Sequence, residues 1–517
     1  MPIHLRLFLG VLGLLFFISC SSSKSQNDTD ILPDGDADTQ DSETQDDDSD
    51  SQSSEIVDDL DEVPDQDSDS DTEKPVHDDE EPNEPTEEIF EETEPINGYA
   101  RCYDKIPAGD YEGLFADPNL ESQIKKILEY DDDHELKEED LEKITEITLS
   151  SKDLRGFEKL VNLEYINFKD TGGDIYDFTP LSNLKKLRKV RIYFRPPAEI
   201  SPSENFINMS CLDGSFSLLT TLETLEIENT HLKKIDPIEQ LVNLKTLEID
   251  HNKIESLPKN IGNLQQLEML TFSYNNIVDI NPLISLTNLN TLAFANNQVE
   301  DVSPIKNMTK MSIINFSENN IKDISAIENF SELKSLGAND NKIEILPDFK
   351  NFGKLQYIYL DFNNISSLPN LKGLDSLDEM WLAYNNLNDE EFGKLDELEH
   401  TGFLDVSFNK ITKVPVLKNL KSLKYMLLVG NMISDLSGFA DNESFPALKQ
   451  LDLQYNMIES AEPLRKRKKL SRLSIYNNCI KDISPLEELQ ENGTHVSGID
   501  KQLESCKDTT TILKDGE

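Results

Sequence analysis

The reactive side chains of this sequence are scattered and form none of the common catalytic patterns. The 517 residues contain no nucleophile elbow, phosphate-binding loop, zinc-protease motif or glycine-rich dinucleotide fingerprint. Two of the seven histidines, His231 and His251, recur near similar positions of a repeat, but no cysteine or carboxylate lies at ligand spacing from them. Carboxylate pairs carry little information in a chain with 100 Asp and Glu residues. We therefore expect no enzymatic activity, no cofactor and no metal centre.

Most of the acidic excess precedes the part of the chain that can fold. Residues 20–99 hold 31 Asp or Glu against two Lys, a composition that cannot bury enough apolar surface to offset the entropy of ordering. Asp34, Asp36 and Asp38 alternate as at the start of an EF-hand loop, but the glycine and the closing glutamate of that motif are missing. We predict a disordered acidic linker without a specific calcium site.

Nucleic acid is excluded as a partner by the charge. The formal net charge is −51, whereas a protein that binds phosphate backbones needs a basic face. The notable basic run, residues 465–469, is predicted to lie on a solvated turn.

The first 19 residues are predicted to be a secretory signal, because the apolar run 7–18 is too short to span a bilayer. The sequence Phe17-Ile18-Ser19-Cys20 resembles the lipoprotein box of bacterial lipoproteins, although that family prefers Leu where Phe17 stands. The resemblance implies acylation of Cys20, attachment to the bacterial envelope and, since serine follows the cysteine, the outer membrane. The solenoid described below would then face the cell surface or the periplasm. Ordinary cleavage that leaves Cys20 free is the alternative.

Four further cysteines are predicted to form disulfide bonds. An even number in an exported chain is typical of disulfides, and three connectivities are open. We favour Cys479 with Cys506 and Cys102 with Cys211 over the other pairings, and over four reduced cysteines.

A repeat dominates the rest of the chain. The pattern L-x-x-L-x-L-x-x-N recurs with Asn at positions 252, 275, 297, 319, 341, 363, 385, 409, 431, 456 and 478, mostly 22 residues apart. Within L-x-L the apolar residues alternate, which predicts a short strand with Leu inward. The Asn amide can satisfy unpaired backbone groups of neighbouring turns. Stacked turns predict an α/β solenoid, a leucine-rich-repeat arc with parallel strands on its concave face.

The connecting segments identify the kind of repeat. Segments such as Asp301-Val302-Ser303-Pro304-Ile305 and Asp482-Ile483-Ser484-Pro485-Leu486 resemble the turns of internalin-like bacterial leucine-rich repeats. The stretch Phe115 to Glu121, followed by Ile124 and Ile127, resembles the helical N-terminal cap of such proteins. We expect a cap over residues 100–143, about fifteen repeats over 144–490 and a C-terminal cap or tail over 491–517.

Side chains that point outward from successive strands form columns on the concave wall. The columns are acidic in the early turns, small in the middle and aromatic in the later turns, where the single Trp lies. Exposed aromatic side chains that a fold does not require often anchor protein interfaces, although they can also stack on one another. The predicted ligand-binding residues are Tyr357, Tyr359, Asp361, Trp381, Asp405, Leu427 and Val429.

The resemblance implies a function for this wall. Internalin-like proteins grip other proteins with the concave face, so we expect a non-enzymatic cell-surface protein-binding or adhesion module. A periplasmic or envelope scaffold and a glycan-binding protein are the alternatives.

Overall fold

A computed structural model describes residues 90–92, 94–102, 105–151, 153–169, 175, 177–193, 211–441 and 443–506, which fall within one compact unit, Glu84–Glu517. The predicted signal, Cys20 and the Asp34 motif lie outside the described residues. Among the described helices, none has the length and apolar character needed to cross a membrane.

Sixteen short parallel strands form one sheet in the described part of the chain, and each strand pairs with its neighbours in sequence. Apolar side chains such as Leu247 and Ile249 point into the core and are fully buried. This confirms the predicted leucine-rich-repeat arc. Strands β1 and β2 form a separate two-stranded sheet, described below. The strands of the large sheet are β3 Glu146–Leu149, β4 Tyr165–Lys169, β5 Lys189–Tyr193, β6 Thr224–Glu228, β7 Thr246–Glu248, β8 Met269–Thr271, β9 Thr291–Ala293, β10 Ile313–Asn315, β11 Ser335–Gly337, β12 Tyr357–Tyr359, β13 Glu379–Trp381, β14 Phe403–Asp405, β15 Tyr425–Leu427, β16 Gln450–Asp452, β17 Arg472–Ser474 and β18 His495–Ser497.

The opposite wall of the solenoid consists mainly of short 3-10 turns. Ile277, Ile280 and Leu283 of one such segment are buried and close the coil over the core. The Asp279 side chain accepts a hydrogen bond from Asn281 N at 2.8 Å and caps the turn. Proline follows at the first positions of the turn, where its missing N–H costs no hydrogen bond.

The repeated asparagines connect successive turns. Asn363 Nδ2 donates to Ala338 O and to Leu360 O, each at 3.0 Å, while its Oδ1 accepts from Ile343 N at 2.9 Å. Asn252, Asn297 and the other repeated asparagines make the same kind of bridge. Each buried amide therefore satisfies backbone groups of its own turn and of the turn before it.

A helical cap covers the N-terminal end of the sheet, and the rest of the helices are short. Helix α1, Pro118–Ile127, buries Leu120 and Ile124, and the side chain of Asp117 caps it. Ile127, at the end of the helix, is exposed. The remaining described helices are α2 Glu138–Leu141, α3 Asp389–Lys394, α4 Ser437–Ala440 and α5 Ser484–Glu491.

Residues 94–99, at the end of the predicted acidic linker, pack onto the solenoid. Tyr99 Oη donates to Glu239 Oε1 at 2.7 Å and accepts from Gln240 Nε2 at 2.9 Å. Two residues later, Arg101 forms ion pairs with Asp213 and Asp177, both at 3.0 Å. Tyr99 and Arg101 follow directly after the acidic stretch, and this change in residue type could have indicated the start of an ordered segment. Strands β1, Phe90–Glu92, and β2, Lys105–Pro107, pair antiparallel on either side of it.

The segment predicted as a C-terminal cap or tail, 491–517, adds to the stack. Strand β18 pairs with β17, and the described residues after it contact the last turn. Leu503 N donates to Asn478 O at 2.6 Å, and Gln502 Nε2 donates to Ile475 O at 2.9 Å. Gln502 thus takes the place that a further repeat asparagine would occupy, which a search for Asn alone misses.

Replacement of a repeat asparagine tests the bridging role. We expect Asn363→Ala to lower the free energy of unfolding by about 2–3 kcal/mol, because Ala338 O and Ile343 N lose buried partners. The adjacent, exposed Asn364 has no such bridge, so Asn364→Ala serves as the matched control. Urea unfolding followed by circular dichroism measures both, and equal midpoints for the two variants would contradict the bridging role.

Candidate functional site

The sheet register places the predicted residues on four consecutive strands. Tyr359 pairs with Trp381, Trp381 with Asp405, and Asp405 with Leu427. Tyr357 lies in the same strand as Tyr359 and starts the neighbouring outward column. Asp361 and Val429 follow β12 and β15 in the next column, which the backbone ladder continues. The alternation deduced from the sequence therefore brings all seven predicted residues onto one area of the concave wall.

Aromatic rings form the centre of this area. The indole of Trp381 stacks on Phe403 with ring centroids 4.4 Å apart, and Phe403 lies 6.4 Å from Tyr425. Trp381 Nε1 donates to Glu379 Oε2 at 3.2 Å, which orients the indole. Tyr425 is 39% exposed, whereas Trp381 and Phe403 are half-buried. We call the surface formed by Tyr357, Trp381, Phe403, Tyr425 and Leu427 the aromatic patch.

Two predicted contact residues are more buried than the sequence suggested. Tyr359 is only 9% exposed, and its ring lies 6.1 Å from the Trp381 ring at the neighbouring position of the same column. Asp405 is 2% exposed, and its carboxylate accepts a hydrogen bond from Ser407 N at 2.8 Å. Alternation shows which way a side chain points but not how much its neighbours cover it. Whether any of the seven predicted residues binds a ligand stays a prediction.

Phe403 and Tyr425 were missed by the sequence reasoning. They occupy the same outward column as Tyr357, one position before the first buried residue of each L-x-L strand. The same period-two alternation could have found them, since that position also faces the concave side.

The side chain of Asp361 reaches the backbone of the next repeat. Its Oδ1 accepts from Ala383 N at 2.7 Å, and no lysine or arginine of the described residues forms an ion pair with it. Burial raises the pKa of the Asp361 carboxyl well above its usual range, and the negative charge of Asp405 adds to this effect. A small residue, Ala383, thus lies between two carboxylates that repel each other.

A second row of aromatic rings lies beyond the column of Asp361, Ala383 and Ser407. Phe362 stacks on Tyr384 at 4.2 Å, and Tyr384 stacks on Phe408 at 4.1 Å. These residues precede the repeat asparagines and adopt left-handed backbone conformations, with φ of 52–54°. The row ends at Gly430, where a Cβ would lie 2.5 Å from the Phe408 ring. Phe362 and Tyr384 are exposed, so the row widens the apolar surface.

An acidic cluster lies on the early strands of the same wall. We define it as Glu226, Glu228, Glu248 and Asp250. Burial raises the pKa of Glu228 to about 7 and that of Glu248 to about 8, with the neighbouring carboxylates adding to both effects. Burial also raises the pKa of Asp250 to about 6, although hydrogen bonds from Thr271 and Ser273 oppose the rise.

The cations nearest to this cluster come from β5. Lys189 and Arg191 form ion pairs with Glu226, at 2.5 and 3.2 Å. They lower the pKa of Glu228 without cancelling the effect of burial.

The structure contains the two disulfide bonds that the sequence analysis favoured. Cys102 bonds to Cys211 and Cys479 to Cys506, with Cα atoms 5.7 and 5.3 Å apart, within the normal range for disulfides. Glu459 lies close to the second pair, but sulfur atoms bonded to each other offer no thiolate to a metal. The first pair holds the segment before the cap against residue 211, in the segment that leads into strand β6.

The basic run 465–469 is not wholly solvated. Arg467 is buried and donates to the carbonyl oxygens of Phe439, Asp441 and Ser444. The step from Asn431 to Asn456 is three residues longer than the common repeat, and the guanidinium satisfies the backbone of the longer connection. A long surface cation can therefore serve as an internal bridge, which composition alone does not reveal.

The described histidines make scattered pairwise contacts: His134 Nε2 lies 3.5 Å from Asp140 Oδ2, and His495 Nε2 lies 3.2 Å from Ser497 Oγ. His251 stacks on Tyr274 at 4.3 Å, in the row that precedes the repeat asparagines. Burial lowers the pKa of both His231 and His251. Nothing in the described residues indicates catalysis.

Comparison with known proteins agrees with this architecture. Residues 200–340 match the family model described as a leucine-rich repeat region. A leucine-rich repeat and WD repeat-containing protein of Xenopus tropicalis is 40% identical over 75 residues, which is 14% of this chain and 11% of that protein. The chain thus spans about a tenth of this relative's length, and the match concerns the repeats alone.

Solved structures share the fold. A leucine-rich-repeat protein of Leptospira interrogans superposes with a TM-score of 0.57 at 20% identity, covering 70% of this chain and 97% of that one. The functional domain of InlJ from Listeria monocytogenes gives a TM-score of 0.50 at 19% identity, covering 74% and 79%. The internalin InlF of the same species gives 0.49 at 26% identity, covering 60% and 95%. The chain carries a leucine-rich-repeat domain, a fold whose members are in general non-enzymatic protein-binding scaffolds.

The acidic cluster predicts a dependence of stability on pH. The folded-state pKa values of Glu228 and Glu248 lie above the ordinary value near 4.5, so the folded chain holds more protons than the unfolded chain between pH 4.5 and 8. The stabilisation is complete below about pH 4.5 and is lost as the pH rises through 7 and 8. Glu248→Gln mimics the protonated form and should raise the melting temperature at pH 8 but not at pH 4.5.

Differential scanning calorimetry at the two pH values measures this effect. Glu332→Gln, at an exposed site outside the cluster, is the control and should show no such difference. A wild-type melting temperature that rises from pH 5 to pH 8, with Glu248→Gln having no effect, would contradict the prediction.

Proposed function

We propose that the protein is a lipid-anchored module of the bacterial cell surface that binds another protein with the concave wall of its solenoid. The aromatic patch carries this proposal. Its rings lie on outward positions that the core does not need, and Tyr425 remains substantially exposed. Clustered aromatic side chains of this kind form the centres of many protein interfaces.

The solenoid also supports a binding role through its rigidity. Backbone pairing and asparagine bridges hold each outward column in register from turn to turn. A partner therefore meets a preformed surface, and little conformational entropy is lost on binding. No group in the described residues offers a competing chemical activity.

The proposed lipid anchor favours adhesion over other binding roles. The proposed acylation of Cys20 would hold the chain at the envelope, since each buried methylene of an acyl chain contributes about 0.8 kcal/mol. We expect Cys20→Ala to release the protein from the membrane fraction without altering the solenoid. Fractionation and circular dichroism measure the two properties, and full membrane retention of Cys20→Ala would contradict a lipid anchor on this residue.

Location is tested by protease treatment of intact cells. An antibody raised against residues after 100 detects the solenoid after shaving. We expect release of the solenoid from unbroken cells. Complete protection, with release only after the outer envelope is opened, would contradict adhesion and leave an envelope scaffold as the function.

Binding is tested by measuring how well cells attach when their copy of the protein carries a single substitution. We expect Trp381→Ala and Tyr425→Ala to reduce attachment to neighbouring or host cells by about tenfold, as for residues at the centre of an interface. Val278→Ala removes an exposed apolar side chain outside the concave columns and should have no effect. Equal attachment by all three variants would contradict the role of the aromatic patch.

A further inference from the structure

Charge is distributed very unequally over the concave wall. From β6 to β17, three outward columns run along the wall. Their only cation is Arg472, at the far end. Their carboxylates are Glu226, Glu228, Glu248, Asp250, Asp361, Glu379, Asp405 and Asp452.

The lysines of the same repeats lie elsewhere. Many occupy the turns that precede the strands, where they pair with acidic residues one turn away. Lys245 contacts Glu223 at 2.7 Å, Lys354 contacts Glu332 at 2.6 Å, and Lys421 contacts Glu399 at 2.8 Å. Strand β5 carries Lys189 and Arg191 on the concave columns. From β6 to β17 the repeats are rich in cations, but Arg472 is the only one on those columns, so the negative charge of this part of the wall is not a simple result of composition.

Two carboxylates near the aromatic patch, those of Asp361 and Glu379, are placed to receive a cation. Asp361 lies on one side of Ala383 and Asp405 lies one strand away on the other side, with Trp381 in the adjacent column. Asp361 accepts one backbone hydrogen bond and forms no ion pair within the described residues. Glu379 lies beside the indole that it orients. Aromatic faces flanked by carboxylates attract ammonium and guanidinium groups.

We propose that the aromatic patch binds a segment of the partner protein that carries Lys or Arg side chains beside an apolar one. The cationic groups pair with Asp361 and Glu379, and the apolar side chain packs on Trp381, Phe403 and Tyr425. This inference rests on the proposed function and adds the chemistry of the partner. It does not extend to polyanions, because they offer no cationic group to Asp361 and Glu379.

Selection from random peptides displayed on phage tests the inference. The full-length protein, purified in detergent, is the bait, and peptides that also bind the Trp381→Ala protein are removed. We expect the selected peptides to carry net positive charge and at least one aromatic or aliphatic residue. Synthetic copies should quench or shift the emission of Trp381, the single Trp of the chain, and should bind more weakly as salt is added.

Matched variants separate charge from packing. Asp361→Asn keeps an acceptor for Ala383 N but removes the charge, and it should weaken binding of the selected peptides about threefold to tenfold. Trp381→Ala should weaken it by about tenfold or more, and Val278→Ala should leave it unchanged. Ala383→Lys places an internal cation between the two carboxylates and should abolish binding while the circular dichroism spectrum is retained.

The outcomes distinguish this inference from the function on which it rests. Neutral or acidic peptides whose binding depends on Trp381 would overturn the cationic partner and leave the concave protein-binding surface in place. Binding of neutral glycans on an array, lost in Trp381→Ala, would overturn the protein partner. Absence of any peptide whose binding depends on Trp381 would overturn both.

Discussion

The asparagine bridge between successive turns is the interaction on which the rest of the structure depends. From β7 to β17, each short strand is followed by a turn whose backbone groups lack partners within that turn, and burying such groups unpaired is costly. Asn363 and its equivalents supply both donor and acceptor at this point. Because the same amide bonds to its own turn and to the preceding one, it fixes the stacking of the turns as well as their conformation.

Fixed stacking has a direct consequence for the concave wall. Once the register is set, residues at equivalent positions of successive turns stand side by side, and their side chains form continuous columns. The inward positions must be apolar to fill the core, whereas the outward positions are free of that requirement. The aromatic patch and the carboxylates around it occupy the outward positions, where they can serve binding without weakening the core.

Much of this architecture was predictable from the repeat, and the exceptions have identifiable causes. The repeat period predicted the solenoid, because stacked turns follow from regular spacing. The same spacing predicted that the side chains at positions 359, 381, 405 and 427 align on the concave wall. Burial of Tyr359 and Asp405 depends on how adjacent side chains lean, which spacing does not encode. The role of Arg467 depends on a connection that is longer than its neighbours. The ordered segment around Tyr99 depends on contacts with residues about 140 positions away.

The central claim is that the concave wall, at the aromatic patch, is the surface that contacts another protein on the cell. A photo-crosslinking amino acid in place of Tyr425, compared with one in place of Val278, measures this most directly in intact cells. The account predicts that irradiation yields a discrete covalent complex with another protein at position 425 and none at position 278. The same complexes at both positions, or a complex at 278 alone, would contradict it.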